Sequence, residues 1–208
     1  MRSRLSIYIL MLAISSSLVT TGCAPILLAG VGTGAAIAED RRTSGAFIED
    51  EVIENKVQHK INQRYGYSVR VNAVSFNYNV LLAGQVPNED VKRDVTALAS
   101  EVPHVQRVYN ETEIGPIMAL SSRTSDSYIT SKIKARFLDA QKFSVNHVKV
   151  YTEDGTVFLM GIVTREEADA ATDIARTTNG VKKVVRLFEY GVRENIGNRN
   201  SNDYDRQR

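Results

Sequence analysis

The residues that could perform chemistry are few and scattered along the chain. The three histidines, His59, His104 and His147, lie far apart without a metal-binding spacing, and each is expected to be a solvated surface residue. The paired carboxylates 153–154 and 166–167 fall at a predicted turn and a predicted helix start, where acidic residues are favoured for structural reasons. No nucleophile or phosphate-loop motif occurs at a predicted strand-to-helix turn. We therefore expect a protein that is not an enzyme and that has no cofactor, metal site or small-molecule substrate.

Cys23 is the only cysteine among the 208 residues and follows a segment with the features of a bacterial signal peptide. Two arginines precede an apolar stretch at 5–19 that is too short and polar for a comfortable membrane span. The Gly-Cys step resembles a lipobox, although Thr20 stands where that pattern prefers leucine. We predict a signal peptide at 1–22 and lipidation of Cys23, which anchors the chain to the outer membrane, facing the periplasm, because Ala24 rather than aspartate follows. An ordinary secretory signal that is cleaved near Ala24 is the alternative.

Composition describes an ordinary globular protein and excludes several classes. Hydrophobic residues make up 43% of the chain and charged residues 24%. A net charge of +2 and a pI of about 8.6 are too mild for nucleic-acid binding. One cysteine excludes an internal disulfide framework.

The chain repeats itself at an interval of about 76 residues. Apolar residues spaced by four mark a first amphipathic helix in each copy, and two strands, a second helix and a last strand follow. Turns at 77–79 and 153–155 join the two strands, because Asn, Asp and Gly tolerate positive φ. Each second strand is predicted to end at a glycine, Gly84 or Gly161. The matched residues are Ile53, Val57 and Ile61 with Ile129, Ile133 and Phe137, and residues 80–84 with 157–161.

The order αββαβ is accompanied by a V-x-L-x-G strand, an alanine-rich helix and G-V-K-x-V, best seen at 157–161, 168–175 and 180–184. This pattern resembles the BON domain, and two such domains behind a lipobox resemble the dual BON-domain outer-membrane lipoproteins. The resemblance implies an α+β fold of two tandem BON domains, each with a three-stranded mixed sheet packed on two helices. We place the first domain at 46–115 and the second, with the interdomain segment, at 116–193.

Two segments are predicted to lie outside these domains. Residues 23–45 contain the lipidated cysteine and a linker rich in glycine and alanine, which we expect to be flexible. Residues 194–208 are polar and are expected to be disordered.

The candidate binding site is the outward face of the first helix in the second copy. If Ile129, Ile133 and Phe137 face the core, a turn of about 100° per residue places an aromatic, a leucine and small residues opposite, with lysines beside them. The domain from Ser127 to Arg193 has eleven Lys and Arg against eight Asp and Glu. The equivalent face of the first copy is mostly polar, with Val52, Asn55, His59 and Asn62. The candidate residues are Tyr128, Ser131, Lys132, Lys134, Ala135 and Leu138.

Such a face suits an anionic bilayer surface, because tyrosine has an apolar body with a polar tip and lysines attract negative headgroups. The family resemblance implies binding of anionic phospholipid, such as phosphatidylglycerol, and a role in envelope integrity. The residues alone leave open that Tyr128 and Leu138 are covered by the first domain or by residues 114–125. Two other functions stay open: an adaptor for outer-membrane assembly or division proteins, and a soluble periplasmic stress protein with Cys23 unmodified.

Overall fold

The structure is a computed structural model that describes residues 40–117 and 120–191, with side chains from residue 124 in the second range. The predicted signal peptide, Cys23, most of the linker and the tail lie outside the described residues. The first half comprises α1 (Ser44–Tyr65), β1 (Arg70–Phe76), β2 (Asn79–Val86), α2 (Glu89–Ser100) and β3 (Arg107–Ile114). The second comprises α3 (Leu120–Ala140), β4 (Val148–Glu153), β5 (Thr156–Val163), α4 (Arg165–Arg176) and β6 (Lys183–Tyr190).

Each half forms a three-stranded mixed sheet with two helices on one face. The central strand, β2 or β5, is antiparallel to the strand before it and parallel to the last strand. The parallel pairing is possible because a helix, α2 or α4, makes the crossover between the two strands. The predicted α+β class and the order αββαβ are confirmed.

Two-residue turns with positive φ close the hairpins. Asn77 and Tyr78 have φ of 50° and 66°, and Asp154 and Gly155 have φ of 47° and 72°. Two consecutive residues of this kind match the right-handed twist of the flanking strands. An aromatic residue such as Tyr78 rarely adopts this conformation, so the turn needs support from elsewhere in the domain.

The prediction that each second strand ends at its glycine is wrong. β2 runs through Gly84 to Val86, and β5 runs through Gly161 to Val163. A Cβ on Gly84 would lie 2.0 Å from the carbonyl oxygen of Arg70, and a Cβ on Gly161 would lie 2.4 Å from the carbonyl oxygen of His147, just before β4. The glycine is therefore required inside the strand, because only a residue without a side chain permits this approach of two backbones.

The second helix of each half begins at a side-chain cap. Asn88 accepts a hydrogen bond from the amide of Val91 at 2.9 Å. Thr164 accepts one from the amide of Glu167 at 3.2 Å, and Glu167 accepts one from the Thr164 amide at 2.9 Å. This reciprocal capping box satisfies two amides that the helix itself leaves without partners. The helix start predicted beside the carboxylates 166–167 is confirmed, since α4 begins at Arg165.

Each half has a core between its helices and its sheet. Ile53, Val57 and Ile61 on α1 are fully buried, and so are Ile133 and Phe137 on α3, with Ile129 at 4% exposure. The predicted core faces of both helices are confirmed.

A third core lies between the two sheets, on the faces opposite the helices. It contains Val74, Phe76, Leu81 and Ala83 from the first sheet, and Phe158, Met160 and Ile162 from the second. Both faces of β2 and β5 are therefore covered, and seven of the eight residues in each strand are buried. The two halves form four layers, helix, sheet, sheet and helix, around continuous apolar contacts.

Charged side chains close the rim of this sheet-to-sheet contact. Arg70 of the first half lies 3.1 Å from the carboxylate of Glu153 in the second, and the side chains are 11% and 8% exposed. Lys149 forms an ion pair with Glu54 across the same boundary. Burial, reinforced by the Glu153 carboxylate, raises the pKa of Tyr151 above its ordinary range. The Tyr151 hydroxyl is therefore protonated and donates to Glu153 at 2.7 Å.

The flexible linker predicted at 23–45 extends too far, because its last residues are packed in the fold. Arg41 donates to both carboxylate oxygens of Glu167, at 2.5 and 2.8 Å, in the second half of the chain. Arg42 lies 2.8 Å from Asp50 on α1 and is 8% exposed. Glycine and alanine content indicated a spacer, whereas these two charged residues find buried partners in both halves.

Candidate functional site

The outward face of α3 presents the predicted aromatic and leucine side chains to solvent. Tyr128 is 65% exposed and Leu138 is 60% exposed. Ser131, Lys134 and Ala135 are also exposed on this helix. The alternative in which described residues cover Tyr128 and Leu138 is wrong.

Lys132 differs from the other predicted site residues because it is half-buried and has two partners. Its ammonium group lies 4.6 Å from the centroid of the Tyr128 ring, one helical turn away. The same group donates a hydrogen bond to the backbone carbonyl of Asn179 at 2.5 Å. Asn179 belongs to the turn between α4 and β6, so Lys132 connects the site aromatic to that turn.

Arg136 joins α3 to the same turn. Its guanidinium donates to the carbonyl of Ile174 at 2.7 Å and to the hydroxyl of Thr178 at 2.6 Å. A further bond of 3.0 Å reaches the hydroxyl of Thr177. The Ile174 carbonyl belongs to the last turn of α4, where helix carbonyls lack intrahelical partners and a cation is favourable.

Lys134 is the exposed cation of the site. It forms no hydrogen bond or ion pair with another described residue. Two other cations of this domain are paired, since Lys182 lies 3.0 Å from Asp154 and Arg176 lies 2.8 Å from Asp173. The face therefore combines two exposed apolar side chains with one lysine whose charge faces solvent.

The equivalent face of α1 lacks this combination. At the interval of 76 residues, Val52 stands in place of Tyr128 and is half-buried. Asn55, His59 and Asn62 stand in place of Ser131, Ala135 and Leu138, and all three are exposed. An exposed polar surface of this kind is ordinary for a solvated helix.

Sequence reasoning missed a pair of buried aspartates that organise the hairpin turns. Asp50 on α1 accepts hydrogen bonds from the amides of Asn77 and Tyr78 at 2.7 and 2.8 Å. Asp126 on α3 accepts bonds from the amides of Asp154 and Gly155, both at 2.8 Å. The two aspartates are separated by the 76-residue interval of the repeat, which was the available signal. They provide the support that the positive-φ turns require.

The remaining polar residues with possible chemistry have structural roles. His147 is largely buried, with Nδ1 3.8 Å from Glu167, so its interpretation as a surface residue is wrong. Its backbone carbonyl lies so close to Gly161 that a Cβ on the glycine would come within 2.4 Å of the carbonyl oxygen. Burial raises the pKa of Glu167, but the Arg41 hydrogen bond and the Thr164 amide outweigh burial and lower the pKa below its ordinary value.

Cys23, the predicted lipidation site, lies outside the described residues. Within residues 40–117 and 120–191, no group of three His, Cys, Asp or Glu could hold a metal ion. None of the helices in those ranges combines the length and apolarity that a membrane crossing needs.

Comparisons with known proteins identify both halves. The family model described as the BON domain matches residues 49–116 and 125–191. Outer membrane lipoprotein DolP of Haemophilus influenzae is 40% identical over 183 residues, covering 87% of this chain and 95% of that protein. The 21 kDa hemolysin of Actinobacillus pleuropneumoniae is 35% identical over 73% of this chain and 79% of its own length. Osmotically-inducible protein Y of Escherichia coli is 28% identical, covering 77% of this chain and 90% of that protein.

Proposed function

The chain belongs to the BON-domain family, as a dual BON-domain outer-membrane lipoprotein, and we propose that it binds anionic phospholipid through the outward face of α3. The observation that carries the proposal is the joint exposure of Tyr128 and Leu138 on one helix face, at 65% and 60%. The headgroups would be of the phosphatidylglycerol type, and no enzymatic step is involved.

The chemistry of this face matches a bilayer interface. Tyrosine is suited to the headgroup level because its ring is apolar and its hydroxyl remains hydrated. Full burial of a leucine side chain in an apolar phase is favourable by about 1.5–3 kcal/mol. A lysine near an anionic surface contributes about 1 kcal/mol, and Lys134 is exposed for this purpose. Contacts of this size are weak individually, and they suit a protein that is already held at a membrane.

Lipidation of Cys23 is the second part of the proposal. Two buried acyl chains give stable anchoring, whereas one chain gives only marginal binding. An anchored domain meets the membrane surface at a high effective concentration, so a weak face is sufficient for contact. Mass spectrometry of the mature N-terminus tests this step: an acylated cysteine supports it, and an unmodified N-terminus near residue 24 contradicts it.

Liposome co-sedimentation tests the binding face directly. We would use residues 24–208, which contain every described residue, with vesicles of neutral lipid or of neutral lipid mixed with phosphatidylglycerol. The wild type should sediment with the anionic vesicles, and Tyr128→Glu should not. His59→Glu is the matched control, because it adds the same charge to an exposed position on α1. Equal binding of the wild type and Tyr128→Glu would refute the proposal.

Leu138→Asp separates lipid binding from recruitment of a protein. Its control is Asn62→Asp, at the equivalent exposed position of the first domain. We expect Leu138→Asp to lose vesicle binding. A variant that keeps vesicle binding but loses an outer-membrane assembly or division protein in a membrane pull-down would instead establish the adaptor function.

We propose that this contact supports the integrity of the envelope. Cells whose sole copy carries Tyr128→Glu should become sensitive to detergent, whereas cells with His59→Glu should behave as wild type. If both strains are equally resistant at equal protein levels, envelope integrity does not depend on this membrane contact.

A further inference from the structure

We infer that the two lysines of the α3 face have different tasks: Lys134 meets the negative headgroup, and Lys132 is a positioning residue that holds the Tyr128 ring. This inference rests on the proposed phospholipid binding and deepens it. It assigns the electrostatic contact with the headgroup to Lys134 and the placement of the Tyr128 ring to Lys132.

The contacts of Lys132 show that its ammonium group already has two partners within the protein. Its ammonium is placed between the Tyr128 ring, 4.6 Å to the centroid, and the Asn179 carbonyl, 2.5 Å away. A headgroup that recruited this ammonium would have to replace the carbonyl bond, the ring contact or both. Lys134 has neither restraint and is exposed on the same helix.

The turn that holds Lys132 is packed and hydrogen-bonded against α3. Gly180 has φ of 100°, and a Cβ at this position would lie 3.1 Å from two side-chain carbons of Ile129 on α3. The turn thus packs closely against the helix that carries the site. Arg136 adds three hydrogen bonds from α3 to residues 174–178. The Asn179 carbonyl is therefore a fixed acceptor, and a lysine bonded to it is a fixed partner for the ring.

The first domain shows that the lysine alone does not produce this arrangement. Lys56 is the repeat equivalent of Lys132, but Val52 replaces the aromatic residue. Lys56 is exposed and has no hydrogen bond or ion pair with another described residue. In place of the Asn179-Gly180 turn, the first domain has Pro103-His104. Lys56 is thus a natural control for a lysine on the same helix face without the aromatic contact.

A lipid-free measurement tests the positioning role first. In nuclear magnetic resonance spectra of residues 24–208, the ε-methylene protons of Lys132 should be shifted upfield by the Tyr128 ring current. Those of Lys134 and Lys56 should have ordinary shifts. Tyr128→Leu should return the Lys132 signals to ordinary values, and Lys132→Arg should keep the Tyr128 ring signals close to those of the wild type. Ordinary shifts for Lys132 in the wild type would overturn the inference.

Vesicle binding then separates the two lysines, since Lys132→Met and Lys134→Met remove the same charge. Lys134→Met should weaken binding to phosphatidylglycerol vesicles about fivefold at low salt, and the difference should vanish at high salt because exposed charge is screened. Lys132→Met should weaken binding about two- to fivefold, and this deficit should persist at high salt because ring placement is not screened. Lys132→Arg should restore binding, and Lys56→Met should have no effect.

Failure of this inference differs from failure of the proposed function. If the deficit of Lys132→Met disappears with salt as that of Lys134→Met does, Lys132 is an ordinary electrostatic contact and the inference is wrong. If the wild type does not bind anionic vesicles at all, the proposed function fails, whereas the lipid-free spectra still decide whether Lys132 positions Tyr128.

Discussion

Phe158→Ala tests whether the two sheets make the domains one cooperative unit. Phe158 belongs to the second domain, is 3% exposed and lies in the core between the sheets. The same core contains Phe76 and Leu81 of the first domain. If the sheet-to-sheet contact couples the domains, removing this ring should destabilise the first domain as well as the second.

The expected loss in the free energy of unfolding is a large fraction of the stability of an ordinary folded protein. Replacing a buried phenylalanine by alanine costs about 3–5 kcal/mol, because transfer energy is lost and a cavity remains. Phe158 also packs against the Tyr151 ring, with centroids 6.3 Å apart and planes tilted by 32°. Aromatic pairs contribute about 0.5–1.5 kcal/mol beyond their buried area. Because this pair is lost as well, we expect a cost for Phe158→Ala in the upper part of the range of about 3–5 kcal/mol. Folded proteins are stable by only about 5–15 kcal/mol, so this cost is a large fraction of the total.

Urea unfolding combined with hydrogen exchange measures this coupling. The wild type and Phe158→Ala should each unfold in one transition, with the midpoint of the variant at lower urea. Amides of β2 in the first domain and of β5 in the second should lose protection together. Leu159→Ala is the comparison, because Leu159 neighbours Phe158 but packs in the core of its own domain. In one cooperative unit this substitution should also lower the protection of the β2 amides. If β2 amides keep wild-type protection in Phe158→Ala while β5 amides lose theirs, the domains are independent and the reasoning is wrong.

Three further predictions concern residues that hold the fold together. Gly84→Ala should destabilise the protein by several kcal/mol or prevent folding, because its Cβ would lie 2.0 Å from the Arg70 carbonyl oxygen; thermal unfolding measures this loss. Glu167 has a pKa below its ordinary value of 4.5, so the stability it contributes is present above about pH 4.5 and is lost as the pH falls through its folded-state pKa. Glu167→Gln should therefore flatten this acid limb in unfolding measured against pH, and Arg41→Met should do the same. Asp126→Asn should cost about 1.5–3 kcal/mol in urea unfolding, because a charged acceptor of two turn amides is lost.

Each of these predictions has a control in the chain. Gly115→Ala should be tolerated, since a Cβ there has nothing within 4 Å. For Glu167 the matched comparison is Arg41→Met, which removes the partner of the same ion pair, and an acid limb that stays steep in both variants would contradict the assignment to Glu167. Asp139→Asn changes an exposed residue on α3 and should alter stability little. A loss as large as that of Asp126→Asn would show that the turn amides are not the cause.

Local rules account for the elements that could be predicted from the sequence. The spacing of Ile129, Ile133 and Phe137 by four places them on one helix face, and the structure buries all three. Thr164 followed three residues later by Glu167 is a capping box, and α4 begins there. Each of these signals depends on residues within one or two turns of each other.

The strands carried a signal that the sequence-based interpretation did not use. Residues 80–83 and 157–160 are continuous apolar runs rather than alternating ones. Such runs are typical of strands that are covered on both faces. The pattern predicts that something covers the second face, but it does not indicate that the partner is the equivalent strand of the other domain.

The sequence predicted only part of the candidate site, because helical periodicity gives the face on which a residue lies but not its distant partners. Helical periodicity placed Tyr128 and Leu138 on the outward face of α3, and both are exposed in the structure. Periodicity treated Lys132 and Lys134 as equivalent flanking cations. The bond from Lys132 to Asn179, 47 residues away, distinguishes them.

The sequence by itself determined the repeat, the element order and the core faces of α1 and α3. It also determined that the outward face of α1 is mostly polar, whereas that of α3 has an aromatic residue and a leucine. Each follows from hydrophobic period, turn residues or caps, which act between neighbours along the chain. Only the tertiary structure decided that the sheets face each other, that Arg41 reaches Glu167 across 126 residues, and that Lys132 is held by a distant carbonyl. Those contacts depend on the docking of two folded halves, and no local pattern specifies the partner of a surface that packing will bury.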